Sequence, residues 1–282
     1  MKVGIYFRKR NEDIIKIASD IISFFKTNHS DIFIVPEVSD IFPDIPTMSV
    51  ESPLNIPEIL VSLGGDGTFL RASHYAINNE VPIVGINLGN IGFLTNIEQE
   101  EILSSLTKLL NKEYEIEERN IIYSSLIRSG KEIYNTFAVN DFVIQRDPIE
   151  KIIEVDVFID NMKVAMNRGD GIIISTPTGS TGYSMAAGGP IIDPTTNVIL
   201  ITPLCPHKLS SRSIIIPDDK LLTLSITTKG SKTKLINDGV DEFLLKDMDR
   251  IKISEYDKKL KIITLTKKNY FDILNKKFYW GL

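Results

Sequence analysis

Residues 58–76 read EILVSLGGDGTFLRASHYA, and this run narrows what the chain can fold into more than any other. Four apolar residues, Ile59, Leu60, Val61 and Leu63, predict a short strand. The strand leads into three glycines around one carboxylate, Asp66, and a helical pattern follows. The surrounding sequence repeats the alternation. KVGIYF near the amino terminus predicts a strand, and NEDIIKIASDIISFFKTN places Ile14, Ile17, Ala18, Ile21, Ile22 and Phe25 at helical spacing. DIFIV and PIVGINLG predict further strands, and EQEEILSSLTKLLNK a further helix. Alternating strand and helix imply a parallel sheet covered by helices, with ligands at the carboxyl ends of the strands, where the glycine turn falls. Pro36, Pro43, Pro46, Pro53 and Pro57 mark residues 36–57 as an irregular surface excursion.

From about residue 114 the rhythm changes. YEIEERNIIYSSLIRSGKEIYNTFAVNDFVIQ, EKIIEVDVFIDNMKVAMN and DKLLTLSITTKG are β-rich and carry turns such as Ser129-Gly130 and Asp160-Asn161. They predict a mostly antiparallel domain. The expected fold is α/β plus all-β: a Rossmann-like α/β domain over 1–113 and a β-rich, sandwich-like domain over 114–265. The tail, 266–282, returns to helical spacing with Phe271, Leu274 and Phe278 on one face, and is expected to pack back on the first domain.

Composition excludes several classes. The 282 residues are 43% hydrophobic and 24% charged, so disorder is not expected. A net charge of −5 argues against broad nucleic-acid binding. A single cysteine, Cys205, excludes an internal disulfide and a cysteine-cluster metal site, and fits a reducing cytoplasm. The apolar run in MKVGIYFRKRNED is too short for a signal peptide, and no stretch approaches the ~20 apolar residues of a membrane span. A cytoplasmic protein is expected.

Two stretches carry chemistry. Gly64, Gly65 and Gly67 can adopt positive φ and bring backbone N–H groups against a ligand, and the helix that follows offers a positive dipole end to phosphate. The plainer alternative is a strand-to-helix turn with Asp66 as N-cap. Three glycines around the acid favour phosphate or ribose contact, although the Lys-Ser/Thr ending of a P-loop is missing. The second stretch, NRGDGIIISTPTGSTGYSMAAGGPIIDP over 167–194, sets Thr178, Gly179, Ser180, Thr181, Gly182 and Tyr183 behind the strand GIIIST. Small hydroxyl residues and glycines let the backbone approach a ligand while hydroxyls supply hydrogen bonds. Tyr183 can stack on a base or fill core, and Asp170 can be a turn acid or a ribose acceptor. Asn140-Asp141 can read adenine or ribose edges, although an ordinary turn is the plainer reading. His29, His74 and His207 lie in separate segments, so no metal site is expected.

Together these stretches resemble the NAD kinase family, which phosphorylates the adenosine 2′-hydroxyl of NAD to make NADP. The resemblance extends through LSSRSIIIPDD at 209–219 and NDGVDE at 237–242 to the tail FDILNKKFYW, and so covers nearly the whole chain. The glycine turn alone is shared with lipid and sugar kinases, whereas TPTGSTGYSMAAGG is far more specific. The resemblance implies that Asp66 is the proton acceptor, with Gly67 and Arg71 lining its pocket. It implies that Asn140, Asp141, Arg168, Asp170 and Thr178 to Tyr183 contact NAD, and that Lys151 is a basic ligand contact. ATP would be the donor, with polyphosphate the open alternative, and Mg²⁺ or another divalent cation would arrive with ATP. A homotetramer or homodimer is implied as well. Asp141, Gly182, Ser213 and Val240 depart from the usual glutamate, alanine, proline and glutamine, which bears on the preference between NAD and NADH. Two rival readings are a lipid or sugar kinase sharing the glycine turn, and a non-catalytic NAD(P)-binding sensor.

Overall fold

The computed structural model describes residues 1–49, 53–89, 92–266 and 269–278. The chain divides into two compact units, Met1–Glu118 with Leu260–Leu282, and Arg119–Lys259.

In the first unit β1 (Lys2–Tyr6) leads to α1 (Glu12–Thr27) and β2 (Asp31–Ile34). The proline-bearing excursion holds two 3-10 turns, Pro36–Val38 and Pro53–Asn55. Then come β3 (Ile59–Gly64), α2 (Asp66–Asn78), β4 (Ile83–Asn87) and α3 (Ile102–Leu110). The helix read from residue 98 onward begins as a separate 3-10 turn, Gln99–Glu101, closed by a capping box between Glu98 and Glu101. The strands pair in parallel in the order β2-β1-β3-β4. Every residue of β3 and β4 is buried, as parallel strands covered on both faces require. The chain enters β2 on one side of β1 and β3 on the other. The turn after β3 therefore lies at the point where strand order reverses, the ligand crevice of open α/β sheets.

The second unit begins within β5 (Glu115–Arg128) and continues through β6 (Lys131–Ala138), β7 (Asp141–Arg146), β8 (Ile153–Ile159) and β9 (Met162–Gly169). Next are β10 (Gly171–Ser175), the short α4 (Tyr183–Ala186), β11 (Val198–Leu204) and β12 (Ile214–Pro217). The chain closes with β13 (Leu222–Thr227), β14 (Thr233–Asn237), β15 (Asp241–Leu245), β16 (Arg250–Thr264) and α5 (Tyr270–Phe278). One sheet runs β12-β11-β10-β7-β14-β15, and the other carries β16-β13-β8-β9, all antiparallel. Phe142, Ile144, Ile172 and Ile174 of the first sheet share a core with Val155, Val157, Leu222 and Leu224 of the second, as in a sandwich. On the outer face Val143, Ile173 and Leu204 pack with Ala187 and Ile236. That second cover explains why GIIIS reads as an unbroken apolar run instead of an alternating one.

β16 passes from the second unit back into the first, where Ile262 pairs in parallel with Ile83. The chain changes unit inside β5 and β16. In α5 the expected face packs at Leu274 and at Phe278, whose ring centroid lies 5.6 Å from that of Phe93, but not at Phe271. Leu274 is buried, while Phe271 is exposed. Tyr279 and Trp280 lie outside the described residues.

A charge pair anchors the second unit. Asp249, with a fully buried side chain, accepts hydrogen bonds from Arg128 Nε at 2.8 Å, Arg128 Nη2 at 2.7 Å and the Lys246 N–H at 2.8 Å. Arg128→Met leaves that carboxylate buried without its cation, and should destabilise the protein by about 3 kcal/mol. Denaturant unfolding checks this; a loss below about 1 kcal/mol would contradict it.

Candidate active site

β3 ends at Gly64, whose φ of +148° and contact with Thr68 admit no side chain. Positive φ, expected of three glycines, is confined to this one. Gly65 and Gly67 serve differently: a Cβ on either would meet nothing within 4 Å, so the backbone there is open to a ligand. Gly65 is the N-cap of α2, and Asp66 is its first helical residue with no capping bond. The capping reading of Asp66 is therefore wrong. Its carboxylate turns instead to two consecutive backbone donors, Phe93 N–H to Oδ2 at 2.9 Å and Leu94 N–H to Oδ1 at 3.0 Å. A Cβ on Gly92 would collide with Asp66 Oδ1, so this grip needs glycine at 92. Lys277 Nζ, on α5, lies 3.3 Å from Asp66 Oδ2 and 4.4 Å from the centre of the Phe93 ring. Arg71 follows on α2, and its charge reaches the Tyr6 hydroxyl at the end of β1.

A cavity of about 420 Å³ adjoins this carboxylate, lined in part by Asn87, Gly92, Thr95, Glu98, Asp272 and Lys276. Thr95 Oγ1 is buried there without a hydrogen-bond partner among the described residues.

The second unit repeats the device. Asp238 sits in the turn after β14, with φ of 50°, followed by Gly239 at 60°. Its carboxylate accepts the N–H groups of Val139 at 2.8 Å, Asn140 at 2.7 Å and Asp141 at 3.0 Å. Asp141, only 6% exposed beside it, is pushed up to about 7 by burial and then by the Asp238 charge. Asn140 Oδ1 is buried with no partner among the described residues. Thr176 ties this pair to the glycine-rich stretch: its N–H donates to the Asn140 carbonyl at 2.9 Å and its hydroxyl to the Val139 carbonyl at 2.6 Å. A Cβ on Gly179 would overlap the Asn140 carbonyl, so close packing explains that glycine.

The 3-10 turn Thr178–Thr181 then delivers Tyr183 to the start of α4. Ser180 is fully buried, donating to the Pro177 carbonyl at 2.6 Å and accepting the Ile192 N–H at 3.1 Å. Its hydroxyl holds the turn. Thr178, Thr181 and Gly182 are partly exposed, and Tyr183 is 41% exposed, so its ring does not fill core. The Tyr183 hydroxyl is shifted upward by burial first, then by negative charge at Cys205, Asp141 and Asp170. Asp170 is engaged by Arg146, whose Nε and Nη2 lie 2.8 and 2.7 Å from Oδ1. Arg168 is half-exposed with Glu154 at 3.6 Å, and Lys151 is exposed. The structure thus gathers Asn140, Asp141 and residues 178–183 around Asp238 and Thr176. Among the described residues no hydrogen bond or ion pair joins Lys151 or Arg168 to that cluster.

Sequence reasoning passed over Gly92, Phe93, Thr176, Asp238 and Lys277 as functional. Asp238-Gly239 carried a turn signal, and Gly92 stood in a glycine-bearing loop. Lys277 carried no signal beyond its place in a helical tail.

The raised pKa of Asp141 has a consequence for stability. Between its ordinary value of 3.8 and about 7 the folded chain keeps a proton that the unfolded chain has released, so stability falls as pH rises through that window. Asparagine at 141 does not titrate. The stability of Asp141→Asn relative to the parent should therefore rise by a few kcal/mol from about pH 4 to about pH 8. Denaturant unfolding at both ends checks this, and a pH-independent difference would contradict it.

The chain matches two family models, the ATP-NAD kinase N-terminal domain over residues 55–114 and the ATP-NAD kinase C-terminal domain over 139–265. It is 35% identical over 280 residues to the NAD kinase of Natranaerobius thermophilus, covering 99% of this chain and 98% of that one. The NAD kinase of Ruminiclostridium cellulolyticum is 37% identical over 281 residues, with the same coverage of both chains. Among solved structures, a yeast NADH kinase complexed with NADH superimposes with a TM-score of 0.87 at 24% identity, covering 100% of this chain and 88% of that one. An NAD kinase from Archaeoglobus fulgidus in complex with ATP does so with 0.76 at 22% identity, covering 98% of each. These likenesses, at that identity, concern the fold. With curated relatives above 30% identity matched over nearly their full length, the chain belongs to the NAD kinase family.

Proposed function

We propose that the chain transfers the γ-phosphoryl group of ATP to the adenosine 2′-hydroxyl of NAD, giving NADP and ADP, with Asp66 as proton acceptor. The observation that carries this reading is the Asp66 carboxylate itself, held by two backbone N–H groups at the carboxyl end of β3 beside open glycine backbone. A ribose hydroxyl is a weak nucleophile, and phosphoryl transfer depends mainly on positioning and charge stabilisation. A carboxylate fixed by the main chain can orient that hydroxyl and accept its proton as the new O–P bond forms.

The second unit supplies the adenosine contacts in this reading. The Asn140 side-chain oxygen has no partner among the described residues, and the exposed Tyr183 ring offers a stacking face. Asp141 and the partly exposed Thr178, Thr181 and Gly182 offer polar contacts to ribose. Mg²⁺ or another divalent cation comes with ATP and neutralises the transferring phosphoryl group. The active form is a homotetramer or homodimer in which Arg168, half-exposed on β9, and Asp170 reach a neighbouring subunit's ligand. The site of action is the cytoplasm.

Asp66→Asn separates chemistry from binding. It should lower kcat roughly 10²–10⁴-fold in an NADP-forming assay while NAD affinity stays within a few-fold. The amide also turns one acceptor into a donor facing an N–H, so about 1–3 kcal/mol of stability should be lost and thermal unfolding must accompany the assay. Near-normal turnover by the folded variant would refute the role of Asp66. Tyr183→Ala should weaken NAD binding by about 1–3 kcal/mol, read by calorimetry. An unchanged dissociation constant would remove Tyr183 from the adenine.

A further inference from the structure

We propose that Lys277, brought to Asp66 by the C-terminal helix, is a further catalytic residue, whose ammonium meets the terminal phosphate of the donor while Asp66 takes the proton of the acceptor hydroxyl. The proposal rests on the reading of Asp66 as proton acceptor.

Phe93 places both charged groups. Its N–H donates to Asp66 Oδ2, and its ring carries the Lys277 ammonium 4.4 Å from its centre. The ring is held in turn by α5, with Tyr270 and Phe278 at centroid distances of 6.0 and 5.6 Å. Leu274, one turn before Lys277, is buried and pins the helix. A lysine on a free tail would have a long flexible stem to order on each encounter. This one is already ordered beside the acid.

The Lys277 contact with Asp66 leaves capacity to spare. At 3.3 Å it is longer than the ~2.8 Å of a strong charge-assisted bond. The carboxylate already receives two backbone N–H bonds. An ammonium has three donors, and among the described residues only one finds an acceptor, so two are left for phosphate oxygens. Both side chains are about 30% exposed, enough for a ligand to reach them. A terminal phosphate draws the ammonium more strongly than a carboxylate does, because it concentrates more negative charge on more oxygens. In the transfer the hydroxyl oxygen bonds to the γ-phosphorus and its proton passes to Asp66. The bond from that phosphorus to the bridging oxygen breaks, and its electron pair leaves with ADP. Lys277 stabilises the charge on the moving phosphoryl oxygens, and contact with Asp66 keeps it poised between turnovers.

The test uses the full chain with Mg-ATP and NAD. Lys277→Met keeps the length of the side chain and removes its charge; it should lower kcat on the order of 10²-fold with KM for NAD within a few-fold. Lys277→Arg should recover most of that loss. A Lys277→Met kcat within about twofold of the parent would overturn the proposal, as would a loss that arginine does not recover. Asp66→Asn is assayed alongside. If it retains turnover, the reading of Asp66 fails; if it is inactive while Lys277→Met is near normal, only the role of Lys277 fails. Amine acylation of the unmodified protein, read by mass spectrometry, needs no variant to fold. Mg-ATP should slow labelling of Lys277 more than that of its neighbour Lys276, and equal slowing would overturn the proposal.

Discussion

A carboxylate gripped by consecutive backbone N–H groups is the interaction on which the functional parts of both units depend. In the first unit Phe93 and Leu94 hold Asp66. In the second, Val139, Asn140 and Asp141 hold Asp238. The two grips have different consequences. Asp66 keeps about 30% of its side chain exposed and can meet a substrate. Asp238 is 9% exposed, and its charge is spent on shaping the Asn140-Asp141 turn and on disfavouring ionisation of Asp141. Main-chain donors have no rotamers to lose, so they fix a charged group more firmly than side chains would.

These grips explain the glycines better than turn propensity does. Gly64 is needed for its φ, and Gly92 and Gly179 for close approach to Asp66 and to the Asn140 carbonyl. Gly65 and Gly67 have room for a side chain, and what they contribute is uncovered backbone beside the acid. These glycines thus answer three separate physical demands, and substituting each should fail in its own way.

Much of this was legible in the sequence because local patterns carried it. Alternating strands and helices gave the parallel sheet, and the apolar run GIIIST gave the strand ahead of the glycine-rich stretch. Asp66 was legible because three glycines surround it. The cap reading failed because its partners come from Phe93 and Leu94, 27 and 28 residues onward, which no local rule reaches. Lys277 lies 211 residues from Asp66, and nothing in a helical tail marks one lysine from the next. Arg146, 24 residues earlier, engages Asp170 across adjacent strands, a partner that no local pattern marks. Phe271, expected on the apolar face of α5, stays uncovered because helical spacing predicts which residues align, and not which of them a neighbour covers.

The chemistry proposed for this frame asks little of the protein beyond placement. The acid needs no nucleophilic relay, only an oriented hydroxyl and a phosphoryl group in line with it. The account stands on the identity of the product. The full chain, incubated with NAD and Mg-ATP, is to be followed by phosphorus NMR and mass spectrometry of the nucleotide products. The account predicts NAD carrying one new phosphate on the adenosine 2′-oxygen, formed mole for mole with ADP. ADP released without a phosphorylated dinucleotide, or a phosphate on any other oxygen, would contradict it.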